Sequence, residues 1–178
     1  MKLQLLSDLH LEIHPHFRPS PAPGADLLVL AGDIGSYQPG SLLADDDFGL
    51  ARFSPLPQYA GWPTPVVFVP GNHEYDGQDF DAAHARLRHV CDRLGLIWLE
   101  RESLVLDGVR LVGTTLWSDF DALADHHGIT DLGQRLKRRE KAFRAANHYL
   151  REHNDFDSLE DAQQRKYRIG HRHRQSHA

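Results

Sequence analysis

Cysteine and methionine are nearly missing from this chain, with one of each in 178 residues. A lone thiol, Cys91, excludes an intramolecular disulfide and any metal site built on several thiolates. Nowhere do apolar residues run on for the roughly 20 positions needed to span a bilayer. The opening Met1-Lys2-Leu3-Gln4-Leu5-Leu6 reaches Asp8 and His10 before a signal-peptide core can form. A cytoplasmic protein with no membrane partner is therefore expected. A cationic excess is missing as well: 20 Lys and Arg stand against 25 Asp and Glu, a formal charge of -5. That balance argues against a general nucleic-acid binder and leaves nucleic acid only the role of a substrate. Histidine is abundant instead, at 13 residues, and imidazole is both the commonest metal ligand and the commonest general acid or base.

Three short apolar runs organise the first half: residues 2–7, 26–31 (Asp26-Leu27-Leu28-Val29-Leu30-Ala31) and 66–69 (Val66-Val67-Phe68-Val69). Bounded by Gly and Pro, they read as strands of a parallel sheet buried on both faces. Each gives way at once to polar residues: Ser7-Asp8-Leu9-His10, Gly32-Asp33 and Gly71-Asn72-His73-Glu74. Ligands of open α/β sheets bind at the carboxyl ends of strands, in the loops that leave them. Residues 79–94 read as an amphipathic helix with Asp79 as N-cap, Gly95 as stop, and Ala83, Leu87, Val90 and Leu94 on one stripe. Leu96–Leu99 reads as apolar strand, and Asp107-Gly108 joins residues 104–106 and 109–112 in a hairpin. A second helix is expected from 131 to about 151, with Leu132, Leu136, Phe143 and Leu150 on a shared face.

Phosphoester hydrolysis requires a strong nucleophile at neutral pH and a clamp for charge on the phosphoryl oxygens. Two cations roughly 3.5–4 Å apart supply both. Carboxylate, imidazole and amide oxygen suit such cations, and without thiolate the choice lies among Mn, Fe, Co and Zn. Asp8 and His10, two apart, can point to one side of an extended exit. Gly32 lets the backbone turn before Asp33. Asn72 offers an amide oxygen, and His73 can give a proton to a leaving alkoxide. Glu74 and Asp76 read as solvated loop acids, with support of the neighbouring ligands as the alternative, Trp98 and Trp117 as core, and Cys91 as a small buried hydrophobe.

Taken in order, Asp8-Leu9-His10, Gly32-Asp33 and Gly71-Asn72-His73-Glu74, each after an apolar strand, resemble the calcineurin-like metallophosphoesterases. The hairpin and the following Gly113-Thr114-Thr115-Leu116-Trp117 also look like that family. The resemblance implies an α/β fold, an αββα sandwich of two mixed sheets with helices outside. It implies that Asp8 and His10 bind a first divalent metal ion, Asp33 bridges two, Asn72 binds the second, and His73 donates a proton. The nucleophile would be a hydroxide held between the metals, acting on a phosphate-ester substrate.

The family completes its site with a His after a further strand and then a Gly-His-x-His. Gly170-His171-Arg172-His173 fits the second pattern, which makes His171 and His173 further metal candidates. A basic His- and Arg-rich tail over 159–178, poorly ordered and matching by chance, is the competing reading. The middle His has no counterpart, since Asp125-His126-His127-Gly128 lies in a polar loop. The expected domain therefore covers 1–158, is incomplete at its C-terminus, and leaves a sheet edge open to self-association. A non-catalytic metal- or phosphate-binding remnant is the alternative function. A nucleic-acid module using the basic tail and the Arg135–Arg144 cluster runs against the net charge.

Overall fold

Asp8, Asp33 and Asn72 each follow a parallel strand, because β1 (Leu3–Leu6), β2 (Leu27–Ala31) and β3 (Val66–Val69) lie side by side, with β4 (Ile97–Trp98) beyond. All neighbouring pairs are parallel, so the chain leaves β1, β2 and β3 at the same end of the sheet. The structure is a computed structural model that describes residues 1–117 and 131–153, with side chains to 145. It divides the chain into two units, Met1–Leu116 and Trp117–Ala178. His171, His173, the 125–128 loop and the expected boundary at 158 lie outside the described residues.

Registry assigns the faces. Leu5, Val29, Val67 and Ile97 are aligned across the four strands, as are Leu6, Leu30, Phe68 and Trp98. Side chains alternate along a strand, so these two rows lie on opposite faces. Helix α1 (Phe80–Leu94) packs against β4 and a 3₁₀ turn at Leu50–Phe53, burying Ala83, Leu87, Val90, Cys91 and Leu94. Its ends follow the expected chemistry. Asp79 accepts a hydrogen bond from the Ala82 N–H at 3.0 Å, and Gly95 takes the left-handed φ of 69°.

On the other face Leu27, Val67 and Leu99 form a core with Val29, Val69, Ile97 and three hairpin residues, Leu104, Leu106 and Leu111. The hairpin is β5 (Glu102–Leu106) and β6 (Val109–Gly113), antiparallel. Both turn residues, Asp107 and Gly108, have positive φ, the requirement of a two-residue turn whose twist matches its strands.

Two expectations need correction. Burial on both faces holds for β2 and β3 but not for the edge strand β1, where Leu3 and Leu5 are 50% and 64% exposed. The hydrophobic cover reaches β2 and stops there. Among the described residues the first sheet is wholly parallel rather than mixed, and the hairpin forms a separate two-stranded sheet. In the second unit, α2 (Leu132–His153) forms as expected, started by Asp131, whose carboxylate accepts from the Gln134 N–H at 2.7 Å. Its Leu132 and Leu136 are exposed. No described helix is long and apolar enough to cross a membrane.

The covered centre and the uncovered edge predict unequal mutational costs. Leu87→Ala, on the buried stripe of α1, should lower unfolding free energy by about 2–5 kcal/mol, whereas Leu5→Ser, on the edge strand, should cost less than about 1 kcal/mol. Urea denaturation midpoints measure both, and a large loss at Leu5 would contradict the uncovered edge.

Candidate metal centre

The loops leaving β1 and β2 are strained where their polar residues sit. Asp8, His10 and Asp33 have φ of 52°, 46° and 54°. Such left-handed conformations cost non-glycine residues about 1–3 kcal/mol and persist only when their surroundings impose them. Here the two exits are laced together. The Asp8 N–H donates to the Gly32 carbonyl at 3.1 Å, that of His10 to Asp33 at 3.1 Å, and that of Leu11 to Ile34 at 2.9 Å.

Two glycines set the approach of the β2 and β3 exits. Gly32 has a φ of 84°, and a Cβ there would stand 2.7 Å from both Cα and N of Gly71. A Cβ on Gly71 would overlap the Asp33 carboxylate. The glycines of Gly-Asp and Gly-Asn therefore lie against each other, and neither tolerates a side chain.

Glu74 locks this contact, and the expectation of a solvated loop acid fails. The residue is 0% exposed. One oxygen accepts from Asp33 N–H at 3.1 Å and Gly71 N–H at 2.7 Å. The other accepts from Ile34 at 2.6 Å and Gly35 at 3.4 Å. One carboxylate thus satisfies donors from both loops. Burial and the Asp33 charge push its pKa up to about 7, while the N–H donors pull it down. Asp33 in turn accepts from the His73 N–H at 3.0 Å.

On this frame stand His10, Asp33 and His73, each with a donor atom within 4.8 Å of the other two. The two imidazole rings meet edge to face with centroids 4.9 Å apart. A carboxylate backs each ring: Glu12 Oε1 lies 2.8 Å from His10 Nδ1, and Asp76 Oδ2 lies 2.7 Å from His73 Nδ1. Asp76 is therefore a ring partner and not a free loop acid. This close carboxylate is the main cause of a raised His73 pKa; burial opposes it, and the charges of Asp33 and Glu12 add to it.

Asp8 falls outside the three-residue group. With Asp33 and Asn72 it lines a cavity of about 560 Å³ whose walls include Val69, Leu99 and Leu111. Asp33 thus belongs to both settings. Of the residues expected from the first three motifs, His10, Asp33 and His73 share one cluster, and Asp8, Asp33 and Asn72 share the cavity. Glu12 was missed by sequence reasoning. Its one signal is position, the third alternate residue of Asp8-Leu9-His10-Leu11-Glu12.

Thr115 joins the hairpin to the centre. Its hydroxyl donates to the Pro70 carbonyl at 2.6 Å, and its N–H donates to buried Glu100 at 2.5 Å.

Charge and donor type fit a hard or borderline divalent cation. Segments 7–12, 32–36 and 70–76 carry Asp8, Glu12, Asp33, Glu74 and Asp76 but no Lys or Arg. Carboxylates gathered in a partly buried space favour a compensating cation, and imidazole with carboxylate is a suitable donor set for Mn, Fe, Co or Zn.

A parallel sheet with acidic and imidazole donors at its carboxyl end defines an α/β protein of the metallophosphoesterase type. The chain belongs to the calcineurin-like phosphoesterase family, which it matches over residues 1–177. Uncharacterized protein L509 of Acanthamoeba polyphaga mimivirus is 29% identical over 68 residues, 35% of this chain and 24% of that protein. The crystal structure of phosphopantetheinyl hydrolase from Mycobacterium tuberculosis superposes with a TM-score of 0.52 at 20% identity. That superposition covers 97% of this chain and 62% of the hydrolase chain, and at this identity it shows the fold. The present chain spans about a quarter of the viral relative and under two thirds of the solved one.

Glu74→Gln tests the lock. A glutamine keeps one carbonyl oxygen for one pair of donors and turns its NH₂ against the other pair. Leaving buried donors unsatisfied costs about 1–3 kcal/mol, so the urea midpoint should fall correspondingly. An unchanged midpoint would remove Glu74 from this role.

Proposed function

We propose that this chain hydrolyses phosphate esters with divalent cations held where the exits of β1, β2 and β3 meet. The observation carrying the reading is the convergence of His10, Asp33 and His73 donors within 4.8 Å, beside a cavity lined by Asp8, Asp33 and Asn72. Asp8, His10, Asp33 and Asn72 would hold the ions, with Asp33 in both the cluster and the cavity. Bound cations supply acidity to a coordinated water and charge to the phosphoryl oxygens. His73 holds the proton needed by the leaving oxygen. Asp76 supports that role, its carboxylate lying 2.7 Å from Nδ1 and favouring the protonated ring. The strained, glycine-packed loops fix these groups before substrate arrives, so reorganisation during the reaction is small.

A second reading draws support from the single His/Asp group of three among the described residues. One such group suits a protein that holds one ion and turns over nothing. Metal content separates the readings: near one ion per chain with no hydrolysis selects the binding protein, and two ions with hydrolysis select the enzyme.

Asp33→Ala should lower both metal content and hydrolysis of a generic aryl phosphate. Losing several kcal/mol of transition-state stabilisation corresponds to a rate loss of about 10³-fold. His73→Asn should lower turnover while retaining metal. Metal loss in that variant would make His73 a ligand, and unchanged hydrolysis by Asp33→Ala against a clean blank would defeat the enzyme assignment.

A further inference from the structure

Glu12 has a position that packing does not explain. It is 1% exposed, and a buried carboxylate costs several kcal/mol unless it is paired. The main chain is served independently: the Glu12 carbonyl accepts from the Leu42 N–H at 2.9 Å. Its side chain meets one described partner, His10 Nδ1, through Oε1 at 2.8 Å. Oε2 is buried with no hydrogen-bond partner. An apolar residue would fill the same space at lower cost, so the charge must be matched by something in the cluster.

We infer that Glu12 is a positioning residue that holds His10 in the Nδ1–H tautomer and turns its Nε2 lone pair toward the cation position shared with Asp33 and His73. The inference rests on the metal-binding part of the proposed function and not on turnover. An imidazole can offer a lone pair at one nitrogen only when its proton is kept at the other. A carboxylate accepts but does not donate, so the ring must present N–H to it. Held in this way, the ring is pre-oriented and more basic toward a metal. A glutamine at this position has both a donor and an acceptor and selects neither tautomer. Part of the population would then carry the proton on Nε2, where it opposes a cation. A merely structural pair would affect folding stability and leave metal affinity alone.

The test uses the full chain. Mn²⁺ binding is measured by calorimetry for the parent protein and Glu12→Gln. Long-range ¹⁵N–¹H spectra of the metal-free parent at pH 8, with His10→Asn to identify the ring, locate the His10 proton. The expected results are an Nδ1–H ring in the parent and Mn²⁺ affinity weakened about 10–100-fold in Glu12→Gln, with a urea midpoint that shows the variant folded. A proton on His10 Nε2 in the parent, or Mn²⁺ affinity within twofold in a folded variant, overturns the inference. If the variant fails to fold, the parent spectrum decides. If the parent binds no Mn²⁺, the metal-centre reading fails, and the tautomer still tests the placement of Glu12.

Discussion

A single buried carboxylate, that of Glu74, accepts main-chain hydrogen bonds from both the β2 and β3 exits. Without it, four N–H groups would have to turn toward water, and the two loops would have no common anchor. Their separation is already at the limit permitted by backbone atoms, with Gly32 against Gly71. The positive φ values at Asp8, His10 and Asp33 are affordable because the laced exits and this anchor leave no relaxed alternative. Local strain, glycine contact and a buried acid are thus parts of one arrangement that places donors at the carboxyl end of a parallel sheet.

Electrostatics gives that arrangement its chemical direction. The groups acting on His73 from Asp76, Asp33 and Glu12 are all anionic and raise its pKa against the opposing effect of burial. The motif segments contain no Lys or Arg to balance them. Such a concentration of negative charge is costly in a partly buried space and becomes favourable with a divalent cation. The same carboxylates organise the imidazoles, so cation attraction and ligand orientation come from the same residues.

The sequence was most legible where chemistry is local. Apolar runs followed by Gly and polar residues placed β1, β2 and β3 and the loops that leave them, and Asp79, Gly95 and Asp107-Gly108 marked ends and turns from intrinsic backbone preferences. Burial was harder to read. Glu74 and Asp76 look like ordinary loop acids because nothing in their spacing says that a neighbouring loop will lie across them. Glu12 stayed unnoticed because its partner was itself read as a ligand and not as a group needing support. On β1, Leu3 and Leu5 have the composition of a core strand, yet their exposure depends on how far a hairpin a hundred residues later extends across the sheet. Leu132 and Leu136 on α2 pose the same problem: helical spacing defines a face but not what covers it.

The most direct measurement is a crystal of the full chain soaked with Mn²⁺ and read by anomalous scattering. The account predicts a peak in bonding contact with His10 and Asp33, between the exits of β1 and β2. Ions found only elsewhere at saturating Mn²⁺, with that position empty, would contradict it.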